Sequence, residues 1–397
     1  MIEVDAASTL ADQPVRLRIT GLAPGEEVTV AATAADYRSV SWQSRAVFRA
    51  DAHGVVAPDT TAPLSGTYQG VDGAGLLWSM NPPSGDPEQA SFAPSLPQAK
   101  PSFQVRIEVS AHGKQLAARD VTRRLQADGV SYRELTTAAD RVAGALFLPP
   151  PGTARHPAVL LFGGSEGDIG VDQVYAAALL ASRGYPALAL GYFHHAGLPD
   201  TLHDIPLEYF ATAAGLLAAQ PGADPAQLVA VGYSRGSEAA LLLGQDRPDL
   251  VHGVIVYAPS AEVTPGMFPT GGDAWTLGGR PVPQGPVPLD RIGGPVLALA
   301  GAEDALWPSA DSARRIGQAL DAAHDSHPHQ EIVYPAAGHG VGIVPYLAAG
   351  TRPFLPAADA HLQLGGTRAG NAAARVAGWQ QVLDLLAGLE PGGGPGA

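Results

Sequence analysis

Two patterns of apolar and polar residues divide the chain near residue 128. In PVRLRITGLAPGEEVTVAAT apolar side chains recur at every second position, and the runs are separated by APGE. SWQSRAVFRADAHGVVAP and PSFQVRIEVSAHGKQLAARDV repeat the pattern. Alternation with period two, cut by Gly- and Pro-bearing turns, predicts antiparallel strands with one buried face. An immunoglobulin-like β-sandwich over residues 1–128 is the expectation. Between these runs, the Gly/Pro-rich stretch from Ser65 to Pro101 predicts a long ordered excursion.

From about residue 129 the runs become continuous. PAVLLFGG, YPALALGY, LVAVGY, GVIVYAP, PVLALAG and EIVYPAAG alternate with helical stretches such as VYAAALLASRG, LEYFATAAGLLAAQ, SEAALLLGQ and SADSARRIGQALDAA. Strands apolar on both faces, separated by helices, predict a doubly wound, mostly parallel sheet over residues 129–390. Residues 260–294 and 341–368 interrupt the alternation and predict pocket walls or lids. Residues 391–397 predict a disordered tail.

The chemistry concentrates at the ends of these strands. GYSRG places Ser234 between Gly232 and Gly236, with the strand LVAVGY before it and a helix directly behind. A nucleophilic serine on such a turn needs glycines because the strand and helix pass too close for side chains. Serine also needs a base and an acid to orient that base. In the order this fold requires, Asp304 follows PVLALAG and His339 follows EIVYPAAG; Glu303 and Asp311 are the competing acids. GGSEG, residues 163–167, satisfies the same G-x-S-x-G pattern, but no helix follows Ser165 at once. Its loop is expected to give the second oxyanion donor, from Gly164 or Ser165, beside the backbone N–H of Arg235.

Other residues are candidates for the pocket: His194 and His195 after the strand ending near Tyr192, and Met267, Phe268 and Trp275 in the 260–294 segment. HDSHPHQ gathers His324, His327 and His329, but its proline and its place before a strand predict an exposed loop rather than a metal site. The chain has no cysteine, which excludes disulfides and thiolate chemistry. Its 24 basic and 38 acidic residues argue against nucleic acid and anionic membrane surfaces as partners. Both lysines, Lys100 and Lys114, precede residue 129. No window reaches 18 consecutive apolar residues and no targeting segment is evident, so a cytoplasmic location without membrane contact is expected.

Taken together, PVRLRITGLAPGEEVTV, GTYQGVDGAGLLWSM, LFGGSEG, GYSRGSE, GAEDALWPS and AGHG resemble the acyl-CoA thioesterase and bile acid-CoA:amino acid N-acyltransferase family over nearly the whole chain. The resemblance implies a sandwich followed by an α/β hydrolase, with Ser234, Asp304 and His339 as the triad and no cofactor. It further implies a small-molecule acyl thioester substrate. Members that conjugate tend to carry cysteine at the nucleophile position, so Ser234 points to hydrolysis. Carboxylester hydrolysis and transfer of the acyl group to an amine or alcohol are the alternatives.

Overall fold

The structure, a computed structural model, describes residues 1–267, 271–342, 344–355 and 359–390. Phe268 and the tail at 391–397 fall outside them.

The chain forms two compact units. The first comprises Met1–Ala127, Val344–Gln363 and Thr367–Ala373. The two later segments follow the strands of the parallel sheet in sequence and are expected with them; their pairings explain the difference. Ser91 bridges Ala349, Glu88 accepts from the Thr351 hydroxyl at 2.6 Å, and Arg368 donates to Asn81 Oδ1 at 2.7 Å.

Within this unit the alternating runs form a six-stranded sheet. Its order is Ser8–Leu10, Lys114–Arg124, Ser102–Ala111, Glu27–Ala35, Ser41–Arg49 and Ser65–Gly66. Every neighbouring pair is antiparallel except the first, which is parallel. Period two is visible in the burial: Val28, Val30, Ala32 and Ala34 face inward, as do Phe103, Val105, Ile107 and Val109. Ile2–Val4 and Leu17–Ile19 form a separate two-stranded sheet. The Gly/Pro-rich excursion is ordered around aromatic residues, with Trp42 and Phe103 each packing edge-on against Phe92 at 5.6 Å. Arg123 is buried here and donates to the Thr9 hydroxyl and to the carbonyls of Ala11 and Gln13. Burial lowers its guanidinium to about 10.

The second unit, Asp128–Ile343 with Leu364–Gly366 and Ala374–Ala397, is built on an eight-stranded sheet. In chain order its strands are β1 (Ser131–Leu135), β2 (Ala143–Leu148), β3 (His156–Phe162), β4 (Ala187–Gly191), β5 (Ala223–Tyr233), β6 (Gly253–Tyr257), β7 (Val296–Gly301) and β8 (His329–Tyr334). They lie in the order β1, β2, β4, β3, β5, β6, β7, β8. Only the pairs β1/β2 and β2/β4 are antiparallel. The helices that matter for the site are α1 (Val171–Ala181), α2 (Leu207–Ala218), α3 (Arg235–Asp246) and α4 (Ser309–Ala322). Strand order and direction are those of an α/β hydrolase. The central strands are buried on both faces, as their unbroken apolar runs predict. Among the described residues no helix is long and apolar enough to cross a membrane.

Candidate active site

Strand β5 ends at Tyr233 and α3 begins at Arg235, so Ser234 alone turns the chain. Its backbone takes φ 54° and ψ −122°, a conformation unfavourable for any residue with a Cβ. The turn is tight enough to explain both glycines. A Cβ on Gly232 would lie 2.2 Å from the Gly236 carbonyl oxygen, and one on Gly236 would lie 2.2 Å from the Gly163 carbonyl oxygen. Ser234 N–H donates to the Tyr257 carbonyl at 2.9 Å, which ties the turn to β6.

Ser234 Oγ stands 2.9 Å from His339 Nε2, and His339 Nδ1 stands 2.9 Å from Asp304 Oδ2. A carboxylate only accepts, so Nδ1 carries the proton and Nε2 is left free to receive one from the serine. The side chains of His339 and Asp304 are 3% and 2% exposed. Several groups hold them. Asp304 Oδ1 accepts from the N–H groups of Leu306 and Trp307, and Oδ2 also accepts from the Ser309 hydroxyl at 2.5 Å. The imidazole lies between Tyr233 and Trp307, both edge-on at 5.4 and 5.7 Å. Tyr233 donates its hydroxyl to the His339 carbonyl, and Trp307 donates its indole N–H to Ala258 O. Of the competing acids, Glu303 is exposed and Asp311 pairs with Arg314 on α4.

Gly164 and Ser165 lie in the loop between β3 and α1. A Cβ on Gly164 would come within 3.2 Å of Ser234 Oγ, so this backbone abuts the serine hydroxyl. Its N–H, however, is taken: it donates to Glu166 Oε1 at 3.0 Å. Glu166 occupies a variable position of GGSEG, and pattern alone gives no sign that its side chain folds back. Farther along the same loop, Asp168 pairs at 2.6 Å with His195, which follows β4. His194 is exposed, with its Cβ 2.7 Å from where a Cβ on Gly167 would stand.

The Arg235 side chain turns away to a buried cluster on α3. Its guanidinium lies 3.0 Å from Glu238 Oε1 and donates to Thr264 O. Glu238 also accepts from the N–H and hydroxyl of Thr264 and from the Trp275 indole. Burial pushes the Glu238 carboxyl up, while Arg235 and these donors oppose the shift. Trp275 is wholly buried against Tyr192 and Phe210, so it anchors the 260–294 segment to α3 rather than lining an open wall. Met267 is half-buried against the same core. Elsewhere, His327 and His329 pair separately with Asp325 and Asp321, and among the described residues no three metal-ligating side chains converge.

This geometry is accompanied by relationships along most of the chain. The acyl-CoA thioester hydrolase/BAAT N-terminal region matches residues 12–137, and the BAAT/acyl-CoA thioester hydrolase C terminal matches residues 277–388. The chain belongs to this acyl-CoA thioester hydrolase/BAAT family. Acyl-coenzyme A thioesterase 3 of Mus musculus is 29% identical over 95% of this chain and 91% of its own length. Acyl-coenzyme A thioesterase 6 of Homo sapiens is 28% identical over 94% and 92%. Among solved structures, a dienelactone hydrolase-like phosphotriesterase from metagenomic libraries overlaps 65% of this chain and 99% of its own, with 18% identity and a TM-score of 0.45. The C-terminal family match includes Asp304 and His339; Ser234 lies between the two matched segments.

Proposed function

We propose that this family member is a serine hydrolase that cleaves acyl-CoA thioesters through an acyl-enzyme on Ser234. The observation that carries the reading is the Ser234–His339–Asp304 chain, with both links at 2.9 Å. The relatives that match nearly end to end bear the name acyl-coenzyme A thioesterase, which supplies the substrate class.

In this scheme His339 Nε2 accepts the Ser234 proton as Oγ bonds to the acyl carbon. The carbonyl electrons move onto oxygen, where the N–H of Arg235 and an N–H from the Gly164–Ser165 backbone receive the charge. As α3 starts at Arg235, that N–H has no acceptor within the helix and sits at its positive end. Collapse of the intermediate breaks the C–S bond, and His339 returns the proton to the departing sulfur. Water then repeats the sequence: its proton goes to His339, its oxygen bonds to the acyl carbon, and Ser234 leaves with the proton restored. Asp304 holds the imidazole and balances its transient positive charge.

The test is release of free thiol from acyl-CoAs of graded chain length, alongside simple esters and with and without glycine as acceptor. Thiol release that disappears in Ser234→Ala supports the proposal. Absence of thiol release at every chain length overturns it, and conversion to an N-acyl product would replace hydrolysis by transfer.

A further inference from the structure

Glu166 is a charged side chain beside the nucleophile that acyl transfer does not require. Its carboxylate is built into the loop. A Cβ on Gly163 would lie 2.3 Å from Oε1, and one on Gly164 would lie 3.0 Å from Oε2. Two glycines thus leave the space that the carboxylate fills. The same Cβ position on Gly164 is 3.2 Å from Ser234 Oγ, so carboxylate and nucleophile border one small volume. Although the residue keeps more than a third of its surface open, its carboxylate end points inward onto the Gly164 amide. Crowding by protein pushes the carboxyl above the usual range; the N–H groups of Glu166 and Gly164 oppose this, Asp172 on α1 adds to it, and His339 works against it. Tyr192 and Tyr233, which also face it, are held neutral chiefly by their own burial.

Backbone N–H groups that can receive an oxyanion bind any anionic oxygen. At this site three anions compete for them: Glu166, the transient oxyanion and the carboxylate of the released acid. They differ in what accompanies them. The oxyanion forms as His339 becomes imidazolium, so the site gains no net charge. A bound product carboxylate faces a neutral imidazole and adds a full negative charge next to Glu166. Two carboxylates sharing one site repel strongly. An arriving thioester is neutral at its carbonyl and meets no such penalty.

We propose that Glu166 is a specificity-determining residue that excludes carboxylates from the acyl site, admitting the neutral acyl group and expelling the acid product. This rests on the reading of the site as an acyl hydrolase.

The experiment is calorimetric binding of octanoate and of octanamide, its neutral counterpart, to the full-length protein and to Glu166→Gln at neutral pH. Octanoate is expected to bind the variant about tenfold tighter or more, the equivalent of one pKa unit of charge interaction. Octanamide should change by less than about twofold on the same scale. Glu166→Ala, which removes the side chain altogether, should move octanoate in the same direction. The proposal is overturned if octanoate gains nothing in either variant, or if octanamide gains as much. Neither measurement needs turnover, so failure here is distinct from failure of the hydrolase reading, which would appear as absent thiol release by the wild type.

Discussion

Residues 163–167 and 232–236 spell the same G-x-S-x-G pattern in opposite surroundings. Ser234 sits at a strained φ between β5 and a helix that starts at the next residue, and it is 4% exposed. Ser165 follows β3 by three residues, is half-buried, and has five residues between it and α1. The flanking glycines differ as well. Around Ser234 they avoid backbone carbonyls, whereas Gly163 avoids the movable end of Glu166. A pattern of two glycines and a serine therefore fits the turn of the proposed nucleophile only where backbone passes backbone; at residues 163–167 it belongs to a loop that wraps a side chain.

The widest separation between the two motifs should be in turnover. Ser234→Ala is expected to lower kcat for thiol release by about 10⁴-fold or more. Ser165→Ala should stay within about threefold, since a backbone N–H is all the scheme asks of that loop. Equal losses would erase the distinction. The next contrast is in stability. Gly236→Ala drives a Cβ into the Gly163 carbonyl and should cost about 3 kcal/mol or prevent folding. By comparison, Gly163→Ala crowds the carboxyl end of Glu166, a side chain rather than backbone, and should cost less than about 1 kcal/mol. Urea midpoints of the two variants decide it, and an equally large loss at Gly163 would mean the Glu166 side chain cannot move.

How much of this could be read beforehand depended on what each residue touches. The convergence of Ser234, His339 and Asp304 was legible because each follows an apolar strand and the chain order is dictated by the fold. The sheet was legible because burial on both faces leaves unbroken apolar runs. Trp275 was not: in a Gly/Pro-rich segment it looks like a pocket wall, and only the buried carboxylate of Glu238, 37 positions away, shows what its indole is for. The same limit applies to residues 344–363, whose partners Glu88 and Ser91 lie more than 250 positions earlier and leave no trace in local periodicity. Glu166 escaped because a folded-back side chain changes no pattern at all.

Ser309 offers the smallest and sharpest contrast, since it compares the oxyanion loop with the acid–base side of the site. Its hydroxyl donates to Asp304 Oδ2, the same oxygen that faces His339 Nδ1. Removing that donor in Ser309→Ala concentrates the carboxylate's charge on the imidazole and favours its protonated form. The acid limb of the pH profile of kcat/KM should therefore move to higher pH, with kcat down by about threefold to tenfold and KM nearly unchanged. A change of that size matches the net worth of a typical intramolecular hydrogen bond, about 0.5–1.5 kcal/mol. Glu166→Gln, by contrast, removes a negative charge that attracts the imidazolium, so its acid limb should move to lower pH. Opposite displacements in the two variants would show two separate carboxylates acting on one imidazole, Asp304 through a hydrogen bond and Glu166 through charge alone. An unmoved limb in Ser309→Ala, with kcat still reduced, would assign that hydroxyl to the start of α4 alone.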